Sequence, residues 1–192
     1  KKLSNTHYKA FFTEQFELDD DYYNGKVIVD IGCGPRGSLE WADMTKDRIG
    51  LDPLADQYLK LGADKHQMKY VNSYVENMPF ENASCDLISS FNSLDHVKNL
   101  ANACKEIDRV LKPGGIFLLI VDIHRFPTLT EPQTFGWIFV KEYFPSYEIL
   151  EEKHLKTVKP NRIYSNVREN KILEENEKNW GVLKAKLKKP IQ

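Results

Sequence analysis

The chain has 192 residues, 41% of them apolar, which suits one substantial core and is short for two, so residues 1–192 are expected to form a single domain. Its 27 basic and 28 acidic side chains balance, which excludes the broad positive field of a sequence-independent nucleic-acid binder and gives weight to small molecules or proteins as partners. No apolar run approaches the roughly 20 residues of a membrane span, and Cys33, Cys85 and Cys104, never within a CxxC, suggest neither a disulfide framework nor a thiolate zinc site, so the expectation is a cytoplasmic chain with no membrane partner.

In residues 7–18, Tyr8, Phe11, Phe12, Phe16 and Leu18 fall mostly three and four apart, the spacing of an amphipathic helix. Residues 1–24 are therefore expected to form a helical lid or a packed edge ahead of the first strand. Short apolar segments bounded by turn residues follow at 26–31, 48–51, 68–71, 85–90 and 116–122, and read as strands. Helix-compatible stretches lie between them at 38–45, 54–61 and 94–110, the last stopped by Lys112, Pro113, Gly114 and Gly115. This alternation predicts an α/β fold with a doubly wound parallel sheet. Residues 124–146, rich in proline and aromatics, read as an insertion after the fifth strand. Segments 147–155 and 161–168 read as a β-hairpin around Lys159, Pro160 and Asn161, and the charged segment 171–192 reads as a solvated helix or frayed tail.

The most informative stretch is VIVDIGCGPRG at 27–37, where a buried-type strand runs into Gly32, Gly34 and Gly37. Such a turn lets the backbone approach a ligand closely. The spacing also fits a dinucleotide fingerprint, because Asp52 lies where a ribose-binding carboxylate belongs. Charge separates the readings. Asp30 ends the strand two residues before the first glycine, where a pyrophosphate would be repelled, whereas the ammonium and sulfonium of S-adenosylmethionine (SAM) would be attracted. Asp30 as a cap of the following turn and Asp52 as a helix N-cap are the plainer alternatives.

With those residues in view, the chain resembles the class I SAM-dependent methyltransferases, in particular their small-molecule branch. Four ordered matches carry the resemblance: VDIGCGPRG at 29–37, GLDP at 50–53, ENMPFENASCDLISS at 76–90 and EIDRVLKPGGIFLL at 106–119. The resemblance implies a Rossmann-like, seven-stranded, mostly parallel sheet with an antiparallel C-terminal strand, which the expected hairpin fits. It implies SAM as cofactor and S-adenosylhomocysteine as product, with Gly32, Cys33 and Gly34 along the methionine part, Gly37 closing the glycine motif, and Asp52 with Pro53 at the ribose. Val75 and Glu76 take the adenine edge, with Tyr74 where many relatives have an acidic residue, and Phe91 and Asn92 close over the methionine and methyl group.

Methyl transfer from a sulfonium is an in-line displacement, so the protein mainly supplies alignment, water exclusion and, for an oxygen or nitrogen acceptor, proton removal. His124, just after the fifth strand, is the first candidate base; His96 is the second, and Glu131 is a candidate to orient His124 or an acceptor hydroxyl. The scattered histidines show no metal-ligand spacing, so no metal is expected. The reading is a methyltransferase acting on a small molecule. An NAD-dependent oxidoreductase and a non-catalytic SAM-binding regulatory domain are the alternatives, and neither the acceptor nor the oligomeric state is specified by the residues.

Overall fold

The computed structural model describes residues 5–124, 126–128, 131–160, 162–174 and 180–191. In chain order the strands are β1 (Val27–Ile31), β2 (Asp47–Leu51), β3 (Lys69–Val71), β4 (Cys85–Phe91), β5 (Leu111–Ile123), β6 (Glu148–Lys156) and β7 (Gly181–Lys188). The helices are α1 (Lys9–Phe12), α2 (Asp20–Tyr23), α3 (Ala55–Lys60), α4 (Leu100–Val110), α5 (Phe139–Tyr143) and α6 (Ile163–Glu169).

All seven strands form one sheet in the order β3-β2-β1-β4-β5-β7-β6. The β1–β2, β1–β4, β2–β3 and β4–β5 pairs are parallel, whereas β7 runs antiparallel to both β5 and β6. The sheet is therefore the mixed, mostly parallel one that the resemblance implies. Its order reverses between β1 and β4, so the carboxyl ends of these two strands open the crevice where doubly wound sheets hold ligands.

The sheet is buried on both faces, as parallel sheets are. Alternation divides the strand residues: Val29, Ile88, Phe117 and Leu119 join one apolar cluster, and Ile28, Leu87, Leu118 and Ile120 the other. The first cluster is covered by α4, whose Leu100, Ala103, Cys104, Ile107 and Val110 form one buried stripe, and by Phe135, Phe139 and Phe144 around α5. The Asn99 side chain caps α4 by accepting from the Asn102 backbone N–H at 3.0 Å. Phe11, Phe12, Phe16 and Tyr23 from the N-terminal segment, together with Val167 of α6, cover the second cluster.

Three local expectations give way to other arrangements. The helix expected over 7–18 breaks at Thr13, whose hydroxyl donates to the Lys9 carbonyl at 2.9 Å, leaving α1 and a 3₁₀ turn at Glu14–Phe16. Segment 38–45 forms successive turns instead of a helix, because the Glu40 carbonyl is taken by the Arg48 guanidinium at 2.6 Å and its carboxylate accepts from the Met68 backbone N–H. The hairpin has a different second strand: residues 163–169 are α6, Asn161 lies outside the described residues, and β6 pairs instead with β7, in the segment expected to be solvated. Val182, Leu183, Ala185 and Leu187 of β7 are fully buried, and the intervening lysines find acceptors: Lys184 donates to Glu151 at 2.8 Å and to the Gln15 carbonyl, and Lys186 to the Phe16 carbonyl at 2.6 Å. No helix among the described residues is long and apolar enough to cross a membrane.

Candidate functional site

A cavity of about 370 Å³ lies at the carboxyl ends of β1, β2 and β4, lined by Gly32, Gly34, Asp52, Pro53, Tyr58, Tyr74, Val75, Glu76, Asn92 and His96 among others. A second, of about 190 Å³, shares Gly32, Gly34 and Asn92 with it and adds Tyr8, Phe12, Asp30, Cys33, Ser38, Phe91 and Tyr164. The glycine turn and Asn92 are thus the common wall of an elongated, two-chambered space.

The turn needs its glycines for two separate reasons. Gly32 has φ +69°, and a Cβ there would sit 2.3 Å from the Ser93 Cβ, so the β1 and β4 ends can approach only without a side chain. Gly34, at φ +62°, has open space where a Cβ would be; its N–H donates to an Asp52 oxygen at 3.3 Å. Asp52 also accepts from the Leu54 N–H at 2.9 Å, closing a turn ahead of α3 whose N-cap is Leu54 and not Asp52, and the same buried carboxylate lines the larger chamber.

Asp30 is 4% exposed and faces the smaller chamber. Ser38 donates to one of its oxygens at 2.5 Å and Ser89 to the other at 2.6 Å, and no cationic side chain among the described residues pairs with it. Burial pushes its pKa up to about 6, against the lowering effect of the two hydroxyls and with a further upward push from Asp52. Asn92 has φ +56°, is held by its backbone N–H to the Ile120 carbonyl at 2.7 Å, and carries a buried Oδ1 without a hydrogen-bond partner among the described residues. The smaller chamber is therefore bordered by a buried carboxylate that no cation among the described residues pairs.

The other residues named from the sequence divide by geometry. Val75 is buried under the larger chamber, while the Glu76 carboxylate accepts from the Lys98 and Asn99 backbone N–H groups, anchoring the approach to α4. The Cys33 side chain packs against Gly50, where a Cβ would meet its sulfur at 2.5 Å, and burial raises its thiol pKa steeply. Phe91 packs on Phe12 and Phe16, with ring centroids 4.8 and 5.8 Å apart. Gly37 lines neither chamber. His96 lines the larger one, whereas His124 and Glu131 line a separate cavity of about 500 Å³ with Asp122, Phe126 and Trp180. The His124 Nδ1 lies 2.8 Å from the Phe126 carbonyl, and its buried Nε2, with no hydrogen-bond partner among the described residues, is 3.8 Å from Glu131. Tyr8, Ser38, Ser89 and Tyr164 enter the site unannounced by sequence; only the eight-residue step from Asp30 to Ser38, across the glycine turn, is a local signal.

Residues 29–119 match the sequence model of a methyltransferase domain. Over this stretch, somewhat less than half of its length, the chain is similar to the class I SAM-dependent methyltransferases. Among curated relatives, it is 36% identical over 127 residues to an uncharacterised protein of Methanocaldococcus jannaschii, covering 62% of this chain and 49% of that one. It is 33% identical over 114 residues to a sterol 4-C-methyltransferase of Caenorhabditis elegans, covering 55% of this chain and 33% of that one. The chain thus spans half or less of the length of these two relatives. The crystal structure of the YcgJ protein of Bacillus subtilis shares the fold, with a TM-score of 0.68, 15% identity, 97% of this chain and 100% of that chain covered. The nicotinamide reading left open by the glycine spacing and Asp52 receives no support from these relatives.

Proposed function

We propose that this chain binds SAM across the two chambers and transfers its methyl group to a small-molecule acceptor, releasing S-adenosylhomocysteine. The observation that carries the reading is the smaller chamber: Asp30, buried on it with two neutral hydroxyl donors and no cation among the described residues, fits an ammonium. A nicotinamide dinucleotide would instead bring phosphate charge to this carboxylate. Asp52, at the end of the neighbouring parallel strand, offers oxygens to a ribose, and Val75 with the Tyr74 ring offers apolar walls to a base.

SAM supplies an electrophilic methyl group on a sulfonium. What the chain supplies is placement: Gly32 and Gly34 let the ligand lie against the backbone, Asn92 stands between the chambers, and the Phe91, Phe12, Tyr8 and Tyr164 side chains wall the smaller one. Alignment of this kind accounts for much of the rate in a displacement that needs no covalent enzyme intermediate. Of the proposed proton acceptors, His96 adjoins the cofactor chambers directly; His124 and Glu131 adjoin the neighbouring cavity.

Calorimetric titration with SAM, S-adenosylhomocysteine and NAD tests the cofactor. Micromolar binding of the first two and none of the third is expected; binding of NAD alone would reverse the reading. Asp52→Ala should weaken SAM binding about tenfold, on the order of the 1.4 kcal/mol of one charge-assisted hydrogen bond. Transfer of labelled methyl to an acceptor panel then separates a transferase from a domain that only binds SAM.

A further inference from the structure

We propose that Asp95, His96 and Glu131 bind a divalent transition-metal ion at the carboxyl edge of the sheet, beside the cofactor chambers. Each offers one donor atom, and the three atoms lie within 4.8 Å of one another. Asp95 and His96 belong to the 3₁₀ turn Leu94–His96 that follows β4; Glu131 comes from the segment after β5. Gln133 ties the two together, its N–H donating to the Asp95 carbonyl at 3.2 Å and its side-chain amide to the Val97 carbonyl at 3.0 Å.

The observation that points to a ligand is Asp95 itself. Its residue exposure is 0%, and neither carboxylate oxygen has a hydrogen-bond partner among the described residues. A carboxylate so placed is costly unless a cation completes it. The nearest titratable nitrogen is His96 Nε2, 3.7 Å from Asp95 Oδ2. An imidazole facing a carboxylate, with a second carboxylate alongside, is a metal donor set.

One imidazole and two carboxylates suit Zn²⁺, Mn²⁺ or Fe²⁺ better than Mg²⁺ or Ca²⁺, which favour oxygen alone. Zinc bonds of about 2.0–2.2 Å place neighbouring ligand atoms roughly 3–3.5 Å apart. The Asp95 and His96 pair is already near that spacing, and Glu131 would close by about 1 Å. Three protein ligands leave a coordination position open, as in catalytic rather than structural sites. On the methyl-transfer reading, that position lies between the chamber lined by His96 and the cavity lined by Glu131, where it would take an acceptor oxygen.

The test is independent of methyl transfer. After chelator treatment, the chain is titrated with Zn²⁺ by calorimetry and with Mn²⁺ by electron paramagnetic resonance. One equivalent should bind, with at least tenfold weaker binding in Asp95→Asn and in Glu131→Gln. Asp95→Asn should also raise the melting temperature of the metal-free protein, because it removes the uncompensated charge, while abolishing the further rise on adding Zn²⁺. Equal metal binding by wild type and both variants, or no binding tighter than millimolar in the wild type, would overturn the site. A lower metal-free melting temperature in Asp95→Asn would overturn the claim that this carboxylate awaits a cation.

Discussion

On β1, Asp30 is buried with two serine hydroxyls and an open chamber for company; on β7, Lys184 is buried as deeply, at 1% exposure, with a carboxylate, a carbonyl and a ring. Glu151 stands 2.8 Å from the Lys184 ammonium, and the Phe16 ring centroid lies 4.9 Å away. Burial lowers the lysine pKa more than Glu151 restores it. The Glu151 carboxyl is raised by burial but held below its ordinary range by Lys184 and Lys153 together. The lysine is a charge completed by the fold. The aspartate is a charge left incomplete beside a cavity, the arrangement expected where a ligand completes it. Depth of burial is the same in the two places; the difference lies in who supplies the countercharge.

The largest effect should come from breaking the completed pair. Glu151→Ala leaves the Lys184 ammonium without its carboxylate and should lower stability by about 3–5 kcal/mol in urea unfolding. Glu151→Gln, which keeps an acceptor, should lose less. SAM affinity of either variant, measured where it is folded, should stay near wild type, because the pair lies away from the chambers. Asp30→Asn should do the opposite. Removing a charge that the apo fold does not pair should leave stability at pH 8 unchanged or raise it by about 1–3 kcal/mol. The same change should weaken SAM about 10- to 100-fold, the worth of a charge-assisted hydrogen bond in a dry site. Its effect on 5′-methylthioadenosine, which lacks the ammonium, should be small. A destabilised Asp30→Asn with unchanged SAM affinity would place Asp30 with Lys184 as a structural charge.

The same contrast explains what could be read from the chain alone. β1 and β2 run into residues with recognisable local signals, the positive-φ turn at Gly32 and the turn that Asp52 closes at Leu54, so segment order and spacing reveal the fold and the edge where the cavities lie. β7 could not be read this way. Its lysines at 184, 186 and 188 look like a solvated face, and only the pairing with β6 and the Gln15 and Phe16 carbonyls, about 170 positions away, makes a buried strand of them. Likewise, the Asn166 side chain accepts from the Val158 and Lys159 N–H groups, folding back as α6 the segment whose composition suggests a hairpin strand. Asp95 and His96 share one turn but Glu131 comes from a distant segment, so no ligand spacing exists for a motif to show. Tyr8 and Tyr164 reach the smaller chamber from opposite ends of the chain.

The smaller effects concern how Asp30 is held. Its pKa of about 6 lies above the ordinary aspartate value of 3.8, so the folded state binds the proton more tightly than the unfolded state. The stabilisation this provides is complete below about pH 4 and is lost as pH rises through about 6. Relative to Asp30→Asn, wild-type apo protein should therefore lose stability across that window. SAM should bind more tightly over the same window, because its ammonium favours the ionised carboxyl. Ser89→Ala removes one of the two hydroxyls that favour ionisation. At about 1 kcal/mol, the loss should move the affinity midpoint upward by somewhat less than one pH unit, with little change in affinity at pH 8. Were the midpoint to stay in place, the serine would be packing beside Asp30 without tuning its charge, and the incomplete countershell on β1 would be narrower than the two hydrogen bonds imply.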